Sequence, residues 1–290
     1  MHPTDHIWQN GTFVPWQNAN THVLSHGLHY GSGVFEGIRC YDAKNGPKIF
    51  KLPEHVARLF YSARALGMEI PYSEAEMCAA IEDTVAKNDL KAGYIRPLVY
   101  YGYGGLGVTP RKDLPVEVMI ACWPWDKYLD ADAVDIKISD FIRIHPQSSV
   151  TDAKICGHYV NSLMAGLAIR DAHYHEALLL DSDGYVAEGS AENIFIVKDG
   201  VLTTTPLGTI LNGITRATVM EMAETMGMTV HQERFLPQAI WDADEAFFCG
   251  TAVEIVPIRS LDDRLIGSGE PGPISQQFQR AYQALVHEEA

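Results

Sequence analysis

Basic residues are scarce: 22 Lys and Arg stand against 37 Asp and Glu, a formal net charge of −15. A surface of that sign repels phosphate backbones and anionic headgroups, which argues against nucleic-acid or membrane-surface binding. A small anion held by a few cleft arginines stays open. Cysteine is sparse too. Cys40, Cys78, Cys122, Cys156 and Cys249 are odd in number and never form a C-x-x-C pair. That excludes a disulfide framework and a zinc knuckle, and fits a reducing compartment. No window approaches the ~18 uninterrupted apolar residues that a membrane span requires. The first twenty residues hold no Lys, no Arg and no apolar core, so no export signal is expected and cytoplasm is the expected location. Repeats and low-complexity tracts are missing, and 24 Gly with 15 Pro are ordinary amounts, against collagen-like or disordered chains. What is left, 290 residues of which 47% are hydrophobic, is a folded chain of about two domains.

Turn and capping signals order that chain. Asn10-Gly11 between Ile7-Trp8 and Thr12-Phe13-Val14 predicts a hairpin. A helix is predicted from Pro53 to near Gly67, with Val56, Leu59, Phe60 and Ala63 at apolar spacing. Ser73 and Glu76 form a capping box for a second helix that reaches about Asn88. Strands follow at Tyr94–Tyr101 and Val116–Trp123, joined by a Gly- and Pro-rich loop. Beyond Trp123 both periodicities vanish, which places a linker at 123–134 between a small N-terminal domain (1–122) and a larger one (135–290). The second half opens on a strand, Val134–Ser139. A helix from about Gly157 to Asp171 then carries Val160, Leu163, Met164, Leu167 and Ala168 on one face. Strands at Ala177–Leu180 and Ile194–Val197, a helix from Thr215 closed by Gly227, and a last helix after Pro273 complete it. Helices and strands mixed in both halves imply an α+β or α/β protein of two unequal lobes.

Gly102-Tyr-Gly104-Gly105-Leu-Gly107 spells the dinucleotide fingerprint G-x-G-x-x-G, but Pro110 and Pro115 forbid the helix it must open. A glycine loop near a cleft is expected instead. His22, His26 and His29 have ligand-like spacing, yet Gly27, Gly31 and Gly33 break any shared helix, and no carboxylate or cysteine completes a metal set. No metal is expected. Cys156 and His158, two residues apart at a helix start, point in different directions, against a thiol nucleophile.

Among ten lysines, Lys154 stands apart, just before an apolar-faced helix in Asp152-Ala-Lys-Ile-Cys-Gly157. Partial burial there would lower its proton affinity and free a nucleophilic amine, although the pattern also fits a surface lysine. Glu188 lies where a strand turns through Gly189; it reads either as an acid for a heteroaromatic nitrogen or as a turn carboxylate. Leu211-Asn-Gly213-Ile214-Thr215-Arg216 runs a tight turn into a helix, a phosphate site or a plain Thr cap. Gly250-Thr251-Ala252 after an apolar strand offers another anion turn. Lysine, ring-nitrogen acid and phosphate-binding helix start are together what pyridoxal phosphate demands.

These motifs resemble the fold-type IV pyridoxal-phosphate enzymes, and within them the branched-chain amino acid aminotransferases. The resemblance runs nearly end to end: HGLHYGSGVFEGIRCY (26–41), HVARL (55–59), YIRPL (94–98), GLGV (105–108), AKICGHYVNS (153–162), EGSAENIF (188–195), NGITR (212–216), GTAVEI (250–255) and GPIS (272–275). It implies a two-domain fold like that of D-amino acid aminotransferase, with a small N-terminal α/β lobe and a larger C-terminal lobe. The implied reaction is a reversible ping-pong transfer of the α-amino group of L-leucine, L-isoleucine or L-valine to 2-oxoglutarate. The YIR segment with Arg96, and GLGV, resemble the branched-chain group and disfavour the alternative of a D-amino acid transaminase, an (R)-amine transaminase or an aminodeoxychorismate lyase of the same fold.

The resemblance further implies that Lys154 is catalytic, carrying the cofactor and shuttling a proton. Glu188 would pair with the ring nitrogen and Tyr159 with the ring hydroxyl. Arg58, Ile214, Thr215 and Thr251 would hold the phosphate, with Ala191, Leu211 and Gly213 also lining the cofactor. The spacing of its own helix would let Arg58 pair with Glu54 instead. Substrate would meet Phe35 and Tyr159, with Tyr30 and Val108 reaching across from a second subunit. Arg96 and Tyr30 would take the distal carboxylate of glutamate; Tyr94 and the Thr251-Ala252 amides would take the α-carboxylate. At least a dimer is therefore implied. Ala191, Asn212 and His158 depart from frequent family residues.

Overall fold

A computed structural model describes residues 2–125 and 131–287, so residues 126–130 of the expected linker lie outside the described residues. Main-chain contacts gather the described residues into two units. One holds residues 2–125 with 153–158 and 286–287; the other holds 131–152 with 159–285. Each is built on its own sheet.

The first unit's sheet contains β1 (His6–Gln9), β2 (Thr12–Pro15), β3 (Gly33–Phe35), β4 (Ile38–Ala43), β5 (Gly46–Ile49), β6 (Gly93–Tyr101) and β7 (Val116–Trp123). Their order is β2-β1-β7-β6-β4-β5, with β3 on β6, and every pairing is antiparallel. The β1–β2 hairpin turns where expected, with Asn10 at φ 48° and Gly11 at φ 88°, the backbone a two-residue turn requires. Three helices belong here: α1 (His26–Tyr30), α2 (Leu52–Ala65) and α3 (Glu74–Lys87). The reciprocal Ser73–Glu76 capping box opens α3. Val56, Leu59 and Ala63 of α2 and Met77 and Ile81 of α3 bury against Ile38, Ile95 and Ile120 of the sheet. Truncating one such side chain, Leu59→Ala, would cost about 2–5 kcal/mol. No helix forms after the glycine loop 102–107, as Pro110 and Pro115 require.

The short segment 153–158 joins this unit through an isolated bridge, Val34 to Ile155, at the edge strand β3. Gly157 N donates to Gly31 O at 3.1 Å. A Cβ on Gly31, which sits at φ +62°, would come within 2.8 Å of Gly157 Cα, so the close approach needs glycine.

The second unit's sheet runs β10-β9-β8-β15-β14-β11-β12-β13, with β16 on β15. Its strands are β8 (Val134–Ile138), β9 (Glu176–Leu180), β10 (Val186–Gly189), β11 (Asn193–Lys198), β12 (Val201–Thr204), β13 (Val230–Gln232), β14 (Glu245–Gly250), β15 (Glu254–Leu261) and β16 (Arg264–Leu265). Parallel pairs (β8 with β9 and β15, β12 with β13) mix with antiparallel ones. The helices are α4 (Tyr159–Ile169), α5 (Ile214–Thr225), α6 (Pro237–Trp241) and α7 (Pro273–His287). Val134, Ile136, Leu178, Ile194, Phe248 and Leu261 form part of the core.

The apolar spacing of α4 leads to an outcome unlike that of α2. Ala165 and Ile169 are its buried residues, while Val160, Leu163, Met164 and Leu167 are 59%, 57%, 41% and 44% exposed. A stripe of that kind ordinarily faces a core; here it lies open.

Candidate active site

In the first unit, Lys154 is held at both ends of its peptide. Its N–H donates to Ser62 Oγ at 2.8 Å, and its carbonyl accepts from Phe35 N at 3.2 Å. The side chain is partly buried, with Nζ 4.8 Å from the centre of the Phe35 ring. Burial, reinforced by the Arg58 charge and opposed by Glu36 and Tyr94, pulls its pKa down to about 8. An amine with that proton affinity is a usable nucleophile and base near neutrality.

Arg58 makes no use of Glu54, which pairs instead with Lys51 at 3.3 Å. Its Nε donates to Glu36 Oε1 at 2.7 Å and its Nη2 to Glu36 Oε2 at 2.9 Å, a two-pronged clasp. His55 Nδ1 lies 2.7 Å from Glu36 Oε2. Burial alone would make Glu36 hold a proton, but the charges and hydrogen bonds of Arg58 and His55 keep it ionised well below the usual carboxylate range. Burial also lowers the proton affinity of His55.

Arg96 lies with its guanidinium carbon 4.7 Å from the Phe35 ring centre and 5.5 Å from that of Tyr94. Its Nε is buried with no hydrogen-bond partner among the described residues. A cation spread over two aromatic faces, with a donor uncommitted, is suited to a visiting anion. Tyr94 is buried beside Trp125, ring centres 4.4 Å apart; a Cβ on Gly37 would sit 1.8 Å from its hydroxyl oxygen. Phe35, Arg58, Tyr94, Arg96 and Lys154 thus come together. Tyr30 and Val108 do not join them. They are 43% and 80% exposed, and linked through His26, whose ring lies tilted against Tyr30 and meets Gly107 O through Nε2 at 2.7 Å. The other ring nitrogen of His26 meets Ser32 Oγ at 2.6 Å, so this histidine serves loop structure.

In the second unit, Glu188 lies in β10, one residue before its end, and is buried. Oε1 accepts from Arg143 Nε at 2.6 Å; Oε2 accepts from Asn193 Nδ2 and from Leu211 N, both at 3.1 Å. Asn193 also donates to Leu211 O, tying Glu188 to the turn that enters α5. Gly213 is the N-cap of α5 and supplies no side-chain acceptor, so the helix opens without a Thr cap. A Cβ on Gly213 would lie 1.9 Å from Asn193 Oδ1. Ile214 and the buried Thr215 open the helix, and Arg216 pins it by donating to Thr205 O and Gln232 Oε1, each at 2.9 Å.

Ala191 precedes a buried acid, Glu192. Its N–H donates to Glu192 Oε2 at 3.0 Å. Glu192 and Glu176 are buried together; burial raises both, and their mutual repulsion pushes Glu192 further above the carboxylate range. The turn of Thr251 and Ala252 follows β14, with Gly250 close to the Ala191 carbonyl. Tyr159 begins α4 and is partly buried.

Five supporting residues were given no role from the sequence: Glu36, His55 and Asn193 inside the quoted motifs, and Ser62 and Arg143 outside them. The i, i+3, i+7 spacing of His55, Arg58 and Ser62 on one side of α2 was a readable signal. Arg143 had none, since it sits in an irregular stretch after β8.

A family model described as amino-transferase class IV matches residues 33–261. A curated branched-chain-amino-acid aminotransferase of Pseudomonas aeruginosa is 46% identical over 284 residues, 97% of this chain and 92% of the relative. The crystal structure of the Escherichia coli branched-chain amino acid aminotransferase matches with a TM-score of 0.96 at 42% identity, covering 98% of this chain and 95% of that one. The T.th. branched-chain amino acid aminotransferase, complexed with N-(5′-phosphopyridoxyl)-L-glutamate, matches with a TM-score of 0.95 at 43% identity, covering 98% and 94%.

Proposed function

We propose that this chain, which belongs to the class IV aminotransferase family, moves the α-amino group of L-leucine, L-isoleucine or L-valine to 2-oxoglutarate, with pyridoxal 5′-phosphate as cofactor. The carrying observation is Lys154: a partly buried amine of lowered proton affinity, set on an aromatic face near two arginines. The names of the similar proteins support the substrate class, and the phosphopyridoxyl-glutamate of one supports cofactor and co-substrate.

The residues present fit the cofactor. Glu188 is a buried acid with its position fixed by three donors, the partner a ring nitrogen needs. The uncapped start of α5 at Ile214 and Thr215 offers backbone donors to an anion, and in this reading Arg58 and Thr251 would also hold the phosphate. Leu211 and Gly213 shape the entry to α5, Ala191 lies close to Gly250 before the Thr251 turn, and Tyr159 would serve the ring hydroxyl. When bound, pyridoxal phosphate draws electrons from the amino acid so that its Cα proton becomes removable. Lys154 Nζ takes that proton and later returns it. Phe35 offers the leucine side chain an apolar wall, and Arg96 receives the distal carboxylate of glutamate when the second substrate enters. Tyr94 and the Thr251-Ala252 amides orient the α-carboxylate.

The chain works as at least a dimer in this reading. The open stripe of α4 and the exposed Tyr30, Leu106 and Val108 are surfaces that a second copy would cover. The five cysteines are unpaired, which suits a reducing cytoplasm, and among the described residues no helix is long and apolar enough to cross a membrane.

The test is a substrate panel. Purified protein with pyridoxal phosphate and 2-oxoglutarate should convert L-leucine, L-isoleucine and L-valine, and borohydride should fix the cofactor on Lys154. Turnover confined to D-alanine or (R)-1-phenylethylamine would replace the substrate assignment with a sister activity. Sedimentation should give a dimer or larger that Leu163→Glu weakens.

A further inference from the structure

Helix α2 carries a polar stripe beside its apolar one. His55, Arg58 and Ser62 share a side of the helix; the first two bond Glu36, and the third holds the Lys154 peptide. Glu36 is wholly buried and follows Phe35, whose N–H grips the Lys154 carbonyl. Both its oxygens are occupied: Oε1 by Arg58, Oε2 by Arg58, His55 and, at 3.3 Å, the Gly37 amide. A buried ion pair contributes little net stability by itself, and apolar residues of the same volume often do as well. Ionic groups kept at such a place therefore point to a task other than stability.

The charge balance around Lys154 suggests the task. Arg58 and Arg96 press against a proton on Lys154, while Glu36 and Tyr94 favour one. Glu36 is thus the acid that offsets Arg58, and it also fixes where the guanidinium lies.

We infer that Glu36 is a positioning residue for Lys154: its two-pronged hold on Arg58, backed by His55, neutralises the arginine and so decides how readily the lysine nitrogen, free or joined to the cofactor, keeps its proton. The inference deepens the proposed role of Lys154 and rests on it. Glu36 itself touches no substrate.

Glu36→Gln preserves shape and removes the charge. In the holoenzyme, the pH midpoint of the cofactor's visible absorption should fall by about one unit, because an uncompensated Arg58 disfavours the protonated nitrogen. Glu36→Asp, which keeps the charge, should restore most of the difference. Arg58→Gln should move the midpoint upward, and the double replacement should return it towards the parent value. The Arg58→Gln and double variants keep the test alive if Glu36→Gln alone does not fold. An unchanged midpoint in folded Glu36→Gln, or shifts that simply add in the double variant, would overturn the proposal. If borohydride fixes no cofactor on Lys154, the functional reading fails separately. The claim about Glu36 is then decided by titrating the NMR signal of carbon-13-dimethylated Lys154 in both chains, where the same downward shift is expected and its absence refutes it.

Discussion

The two polar neighbourhoods are opposite in composition. Around Lys154, one buried acid, Glu36, answers several bases: His55, Arg58, Arg96 and the lysine itself. Around Glu188, two buried arginines, Arg143 and Arg216, face a larger group of acids that includes Glu192 and Glu176. The first neighbourhood has positive charge to spare, so its amine gives up protons easily. The second has negative charge to spare, so some of its carboxyls retain theirs. Desolvation is the largest cause at both and disfavours the charged form, lowering the amine and raising the carboxyls, and the surplus of like charge in each neighbourhood adds to it.

The contrast can be broken in order of expected effect. Lys154→Ala removes the amine and should cut transamination by about a thousandfold or more, measured as kcat on L-leucine. Survival of parental turnover would remove the first neighbourhood from the chemistry. Arg143→Met strands Glu188 as a buried unpaired charge, and urea unfolding should show a loss of about 3–5 kcal/mol. A loss below about 1 kcal/mol would mean that Asn193 and the Leu211 amide suffice. Glu188→Gln keeps the size and the bond to Arg143, and should lower kcat by roughly a hundredfold while leaving the fold intact by circular dichroism.

The smallest effect sharpens the contrast most. Glu192 binds its proton more tightly folded than unfolded, so the folded state carries more protons. Stability should then decline as pH rises from its unfolded value towards its raised folded one. Glu192→Gln removes that decline. Its melting temperature should exceed the parent's at pH 8 by a few degrees, about 1 kcal/mol, and by less at pH 5. An equal shift at both values would show that the acid pair does not titrate with folding.

Much of this was legible in the residues. Asn10-Gly11 and the Ser73–Glu76 box announced their turn and cap because both devices are local. Lys154 and Glu188 were visible because chemistry demands their types beside particular turns. What stayed hidden is non-local. Arg58 finds Glu36, 22 residues away, and not the Glu54 on its own helix, because a buried clasp is unavailable to a pair on the helix surface. Arg143 reaches 45 residues to Glu188 from a stretch with no periodicity. The stripe on α4 was correctly spaced, but spacing tells that a face is apolar and not what will lie over it.

The peptide at 153–158 is borrowed, in effect, by one unit from the stretch of chain that otherwise builds the other. Splitting the gene near residue 126 would therefore yield an N-terminal fragment whose sheet edge at Val34 lacks its neighbour and whose Ser62 and Phe35 grip nothing. The remaining fragment would carry the lysine without the helix that tempers it. Complementation between two such halves would have to thread this stitch anew, so recovery of yellow colour on mixing reports when that peptide has found its place.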